Sequence, residues 1–103
     1  MAEPPLWIEI DPDLRDLVPR YLNRLKFDLE AGRDALRVGN FMASQKLGHN
    51  LCGSAGSFGF FALHHIANRL EQAAMAQNHR ASGCALDDMR AFTERVNVVF
   101  RRK

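Results

Sequence analysis

The segment Leu47-Gly48-His49-Asn50-Leu51-Cys52-Gly53-Ser54-Ala55-Gly56-Ser57-Phe58-Gly59 combines two features that rarely occur together. Leu47, Leu51, Ala55 and Phe58 recur at the three- and four-residue spacing of an amphipathic helix. Gly48, Gly53 and Gly56 lie inside that same helix, and an interior glycine costs about 1 kcal/mol relative to alanine. At roughly 100° per residue, His49 stands roughly 160 to 200° round the helix from Leu47 and Leu51. If those leucines enter a core, the imidazole faces water. Gly53 and Gly56 share its outer face, so the spacing predicts an exposed histidine beside a surface nearly bare of side chains. Another protein could bring its backbone close to such a ring. Gly53, Gly56 and Gln45, one turn before His49, are the candidate docking surface. A flexible loop with an incidental histidine would leave the regular apolar stripe unexplained.

Outward from this segment, the pattern repeats. Gly39-Asn40 offers a stop and a fresh cap, and Phe41, Met42, Leu47, Leu51, Ala55 and Phe58 form the apolar side of a second helix. Before it, Leu14, Leu17, Val18, Tyr21, Leu22, Leu25, Leu29 and Leu36 predict a long first helix, opened by Asp11-Pro12. Pro19 removes an amide donor, so either a kink or a short leading helix and a fresh start is expected there. Phe60, Leu63, Ile66, Ala67, Leu70, Ala73 and Ala74 predict a third helix after Gly59. Leu86, Met89, Phe92, Val96, Val99 and Phe100 predict a fourth after a Ser82-Gly83 turn. Trp7-Ile8-Glu9-Ile10 alternates like a strand, but a lone strand has no pairing partner in this reading. It is expected as an extended arm whose Trp7 and Ile8 cover one end of the core. The fold class is therefore all-α, an antiparallel up-and-down four-helix bundle with an N-terminal extended arm or short extra helix.

Composition bounds the function. The 103 residues, 47% of them hydrophobic, suit one domain spanning 1–103 with a helical core at about 11–100. Fourteen Lys plus Arg against 12 Asp plus Glu leave a net charge of +2, a weak match to nucleic acid, and the run Arg101-Arg102-Lys103 has no interleaved aromatics. Cys52 and Cys84 match no zinc spacing and are too few for a disulfide framework, so reduced thiols are expected. The segment Met1 to Pro5 lacks the basic and apolar stretches of a signal peptide, and no stretch is long enough to span a bilayer. A cytoplasmic monomer without membrane contact is the expectation. No phosphate-cradling glycine loop with a following lysine, and no metal-binding carboxylate cluster, is present. His64, His65 and His79 read as surface or boundary histidines. A helix hairpin folding near residue 60 sets position n opposite 120 minus n, which brings Glu71 level with His49. A carboxylate there would hold one ring nitrogen and point the other outward, unless Glu71 is an ordinary solvated glutamate.

The run from His49 to Gly59 resembles the motif of the histidine phosphotransfer (HPt) family, in which the phospho-accepting histidine precedes an aliphatic residue at offset two, lysine at three, and glycine at four and ten. His49, Leu51, Gly53 and Gly59 match, and Asn68-Arg69-Leu70-Glu71 resembles the end of the next helix, where a glutamine or glutamate faces the histidine. The resemblance implies a phosphorelay carrier that accepts a phosphoryl group on His49 from the phospho-aspartate of a receiver domain and passes it on. It implies no autonomous kinase activity. No cofactor or metal is expected on this chain, with magnesium on the partner receiver. Cys52 stands where the family has the lysine that steadies the phosphoryl oxygens, and Lys46, one turn before His49, is the nearest candidate replacement. The alternative that Cys52 motivates is a non-phosphorylated helical module that docks a signalling partner. A metal-binding bundle would need paired Glu-x-x-His patterns, which are absent.

Overall fold

The computed structural model describes residues 4–102. Met1, Ala2 and Glu3 of the opening segment, and Lys103 of the basic run, lie outside them. Strand β1 (Leu6–Ile10) and a 3-10 turn (Pro12–Leu14) lead into helices α1 (Val18–Arg37), α2 (Phe41–Phe58), α3 (Phe61–Met75) and α4 (His79–Arg95), followed by strand β2 (Val96–Phe100). Helix α1 packs on α2 and α4, and α3 packs on the same two, which closes the four-helix bundle. Pro19 takes the fresh-start option. It sits in the first turn of α1, where an amide would have no helical partner.

The three helix connections share one device. Gly39, Gly59 and Gln77 adopt positive φ of 73°, 93° and 53°. The next residue's amide then donates back into the finished helix, Asn40 to Ala35 at 2.8 Å, Phe60 to Ala55 at 2.9 Å and Asn78 to Ala73 at 2.9 Å. That same residue caps the following helix. The side chains of Asn40 and Asn78 accept from the amides of Ala43 and Ala81 at 3.1 and 3.0 Å. Phe60 makes no such side-chain bond and instead buries its ring completely. A phenyl group so buried contributes about 1.5–3 kcal/mol, more than a typical cap of about 1 kcal/mol.

Ile10, Leu25, Leu51, Leu63, Leu70, Leu86, Met89 and Phe92 fill the bundle interior around Phe60. Tyr21 stacks on Phe58 at 4.4 Å between ring centroids, and Phe92 meets Phe60 edge-on at 5.8 Å. The Tyr21 hydroxyl lies 2.8 Å from Ser54 Oγ, which ties α1 to α2. Burial pushes the Tyr21 phenol above its ordinary range, with the Ser54 bond opposing it. Arg33 pairs with Asp87 across α1 and α4 and holds that carboxyl below the usual range, and Arg69 reaches Asp88 at 2.8 Å across α3 and α4.

Four expectations need correction. Trp7 to Ile10 does have a partner, because β1 pairs in parallel with β2 in the register Leu6 to Val96 through Ile10 to Phe100. In an up-and-down bundle of four helices, the start of α1 and the end of α4 share one end, so the flanking segments meet. Second, α4 stops at Arg95, and Val96, Val99 and Phe100 belong to the strand. Their spacing fits a helix, but the β-branched and aromatic run Val96-Asn97-Val98-Val99-Phe100 favours a pleated ribbon once a partner edge is at hand. Third, Ser82-Gly83 is not a turn. Asn78 starts α4, and buried Ser82 returns its hydroxyl proton to the Asn78 carbonyl at 2.8 Å. Fourth, Ile8 and Ile10 turn inward while Trp7 is 64% exposed, as alternation along a strand requires. Met42 and Leu17, placed on apolar stripes by spacing, are also exposed.

Gln77 carries the non-glycine positive φ among the described residues, a conformation that costs an L-residue about 1–2 kcal/mol. Gln77→Gly relieves that strain but loosens the unfolded chain, so a net gain on the order of 0.5–1 kcal/mol is expected. Denaturant unfolding should show a higher midpoint with an unchanged slope. A lower midpoint would show that the Gln77 side chain is itself structural.

Candidate functional site

Helix α2 turns Ser44, Gly48, Leu51 and Ala55 into the bundle and leaves the opposite face to solvent. His49 lies on that solvent face with its side chain 73% exposed. Its Nδ1 stands 2.9 Å from Oε2 of Glu71 on α3, whose side chain is only 18% exposed. The hairpin relation of the sequence therefore meets a real contact at this pair. A carboxylate oxygen can only accept, so Nδ1 carries the proton in this bond and Nε2 is left with its lone pair. The ring edge turned away from Glu71 is thus the one that could act as a nucleophile.

Around the ring, Met42, Gln45 and Lys46 join His49 and Glu71 in lining a shallow depression. Lys46 is exposed and carries its ammonium on a flexible four-carbon stem at the edge of this depression. Gln45 lies half-buried at the same edge. On the other side of His49, a Cβ added at Gly53 would meet nothing within 4 Å. Gly56 is less bare than its spacing suggests, since a Cβ there would stand 3.4 Å from Nδ1 of His64. Gly59 contributes through its left-handed backbone, donating to Ala55 and Gly56 carbonyls at 3.1 and 3.2 Å and ending α2. Phe61 is left exposed on the first turn of α3, whereas Phe60 is core.

Cys52 sits one turn after His49, half-buried, with Sγ 3.4 Å from His64 Nδ1. His64 Nδ1 also donates to the Cys52 carbonyl at 2.8 Å. The thiol is therefore turned into the seam between α2 and α3 rather than out beside the His49 ring. Sequence reasoning left His64 as a boundary histidine and did not assign this bond. It also missed Gly48, treated there only as a weak helix former. A Cβ on Gly48 would collide with the Glu71 amide nitrogen at 2.7 Å and the Ala67 carbonyl at 2.8 Å. The available signal was the run of small residues at buried spacing, Ser44, Gly48 and Ala55, opposite Ala67 and Ala74. Among the described residues, no group of three or more His, Cys, Asp or Glu side chains could hold a metal ion.

A family model described as Hpt domain matches residues 13–98, which include all four helices and the whole of this site. Comparison with curated proteins and with solved structures yields no match.

The open space at Gly53 makes a prediction about stability. Gly53→Gln should leave the fold as stable as before or stabilise it by up to about 1 kcal/mol, because glutamine is the better helix former and no neighbour has to move. Thermal melting of the purified variant tests this, and a fall in Tm would mean that the helix face is packed against something there.

Proposed function

Because this chain belongs to the Hpt domain family, we propose that it is a phosphoryl carrier of a two-component phosphorelay, with His49 as the acceptor. The family acts by histidine phosphotransfer in phosphorelays. The observation that carries the assignment to His49 is the bond from its Nδ1 to Glu71 on a ring that is otherwise exposed. In the proposed step, the Nε2 lone pair attacks the phosphorus of a receiver's aspartyl phosphate. The P–N bond forms as the P–O bond to the aspartyl carboxylate breaks, and that carboxylate leaves with the electron pair. No proton has to depart, since Nε2 held none. The ring becomes cationic, and the Glu71 carboxylate against Nδ1–H stabilises the charge where it develops. The reverse sequence delivers the group to a second aspartate.

Magnesium is expected on the receiver, where it would neutralise the phosphoryl oxygens. On this reading the chain binds no cofactor of its own, makes no phospho-histidine from ATP, and works as a cytoplasmic monomer that contacts neither nucleic acid nor membrane. No helix of the described residues is long and apolar enough to cross a membrane. Gln45, Gly53 and Gly56 are the proposed docking contacts beside the ring, with Lys46 and Glu71 in support. A second reading, a docking module without transfer, is favoured by one observation. The family's lysine is replaced by Cys52, whose thiol faces His64.

Incubation with a phosphorylated receiver separates the two. The carrier gains acid-labile, alkali-stable label, and His49→Gln abolishes it while leaving the circular dichroism unchanged, because so exposed a side chain adds little stability. Binding of the receiver without label would establish the docking module, and label retained in the variant would remove His49 as the acceptor.

The lysine question has its own test. A phosphoryl group carries up to two negative charges, and an ammonium at a partly exposed site stabilises it by on the order of 1 kcal/mol. Lys46→Ala should therefore shorten the lifetime of phospho-His49, and Cys52→Lys should lengthen it. Both differences should shrink as salt is raised, since screening weakens a charge effect.

A further inference from the structure

We infer that Gly48 is a positioning residue for His49, because its missing side chain lets the α3 backbone come close enough for Glu71 to fix the imidazole tautomer. Three atoms occupy the place of the absent Cβ, the Glu71 nitrogen at 2.7 Å, the Ala67 carbonyl oxygen at 2.8 Å and the Glu71 Cα at 3.1 Å. All three belong to the backbone of α3. No rotamer change can clear them, so any larger residue must push the helices apart at this level. The residue that would be displaced first is Glu71 itself, and its carboxylate makes the 2.9 Å bond to His49 Nδ1. Lengthening by about 0.7–1 Å takes that contact out of hydrogen-bond range.

The consequence for chemistry runs through the tautomer. A neutral imidazole without a partner divides its proton between its two nitrogens. Molecules with the proton on Nε2 have no lone pair at the exposed edge and cannot attack phosphorus. The Glu71 bond keeps the competent form predominant, and the apparent reactivity scales with that fraction. Gly48 thus acts on the reaction without touching phosphate, partner or ring. This last link rests on the reading of His49 as the acceptor, whereas the effect on the tautomer does not.

The test uses the full chain with ¹⁵N-labelled histidine. Long-range ¹H–¹⁵N spectra at a pH where the ring is neutral report which nitrogen carries the proton. His79, exposed in the first turn of α4, is the internal reference. The expected result is a predominant Nδ1–H form for His49 in the wild type and in Gly83→Ala. The latter is a control glycine in α4 whose added Cβ would make only an ordinary 3.7 Å contact with Leu36. Gly48→Ala, made in the Gln77→Gly background to offset lost stability, should move His49 to a mixture like that of His79. A role in packing alone would lower stability and leave the tautomer untouched. A folded Gly48→Ala protein with the wild-type ring signature therefore overturns the inference, as does a mixed signature in the wild type. If Gly48→Ala does not fold, Glu71→Asp withdraws the carboxylate by one methylene without disturbing the helix contact. It should produce the same mixture, and retention of the Nδ1–H form would show slack that the close approach does not control. With phosphoramidate as a donor that needs no partner protein, labelling of Gly48→Ala should slow roughly three- to tenfold, in step with the lost tautomer fraction. Labelling at the wild-type rate overturns the link to reactivity. Absence of label even on the wild type removes the carrier reading, while the spectra still decide the role of Gly48.

Discussion

The close contact of α2 on α3 governs the molecule. Two helix backbones approach where Gly48 faces Ala67 and Glu71, with no side chain between them. Ala55, Ala67 and Ala74 continue the same economy of volume along the buried seam. Small residues on both helices let the axes come near, and their proximity brings two polar side chains from different helices into bonding range at the solvent edge. The seam therefore joins packing to chemistry. The same displacement that would open the core would also separate His49 from Glu71.

Around that seam the rest of the fold sets direction and register. Helices α1, α2 and α3 each end in a left-handed residue and hand the next residue to the following helix as a cap, so the connections have little freedom to shift. At Gly59-Phe60 the device does most, because Phe60 ends one helix, begins another and fills the core between them. The aromatic stack of Tyr21, Phe58 and Phe60 then anchors α1 to the end of α2. Paired strands at the two ends of the chain close the bundle, and Ile10 is carried into the core by that pairing. The His49 ring takes its orientation from Glu71, a neighbour on a helix that this packing holds in place.

Only part of this was legible in the residues. The four helices, the Gly39-Asn40 boundary and the outward direction of His49 followed from apolar spacing and glycine and asparagine chemistry. The level of Glu71 followed from the length of a hairpin. The β-ribbon did not follow, because Val96, Val99 and Phe100 satisfy helical spacing as well as strand composition, and the partner edge lies at the opposite end of the chain. The start of α4 was misplaced for a related reason. Ser82-Gly83 reads locally as a turn, but Asn78 offers the stronger cap, and a buried serine can bond back to a carbonyl inside a helix.

The sequence by itself determined the four-helix pattern and pointed to His49 as the candidate reactive side chain, because periodicity and capping are local properties of neighbouring residues. It also showed that lysine is missing at Cys52. Only the tertiary structure decided where that thiol points, that His64 bonds the Cys52 carbonyl, and that Gly48 is a point of backbone contact rather than a weak spot in a helix. Those facts depend on the distance and rotation between α2 and α3. That geometry arises from the packing of both helices at once, and no spacing within either helix encodes it.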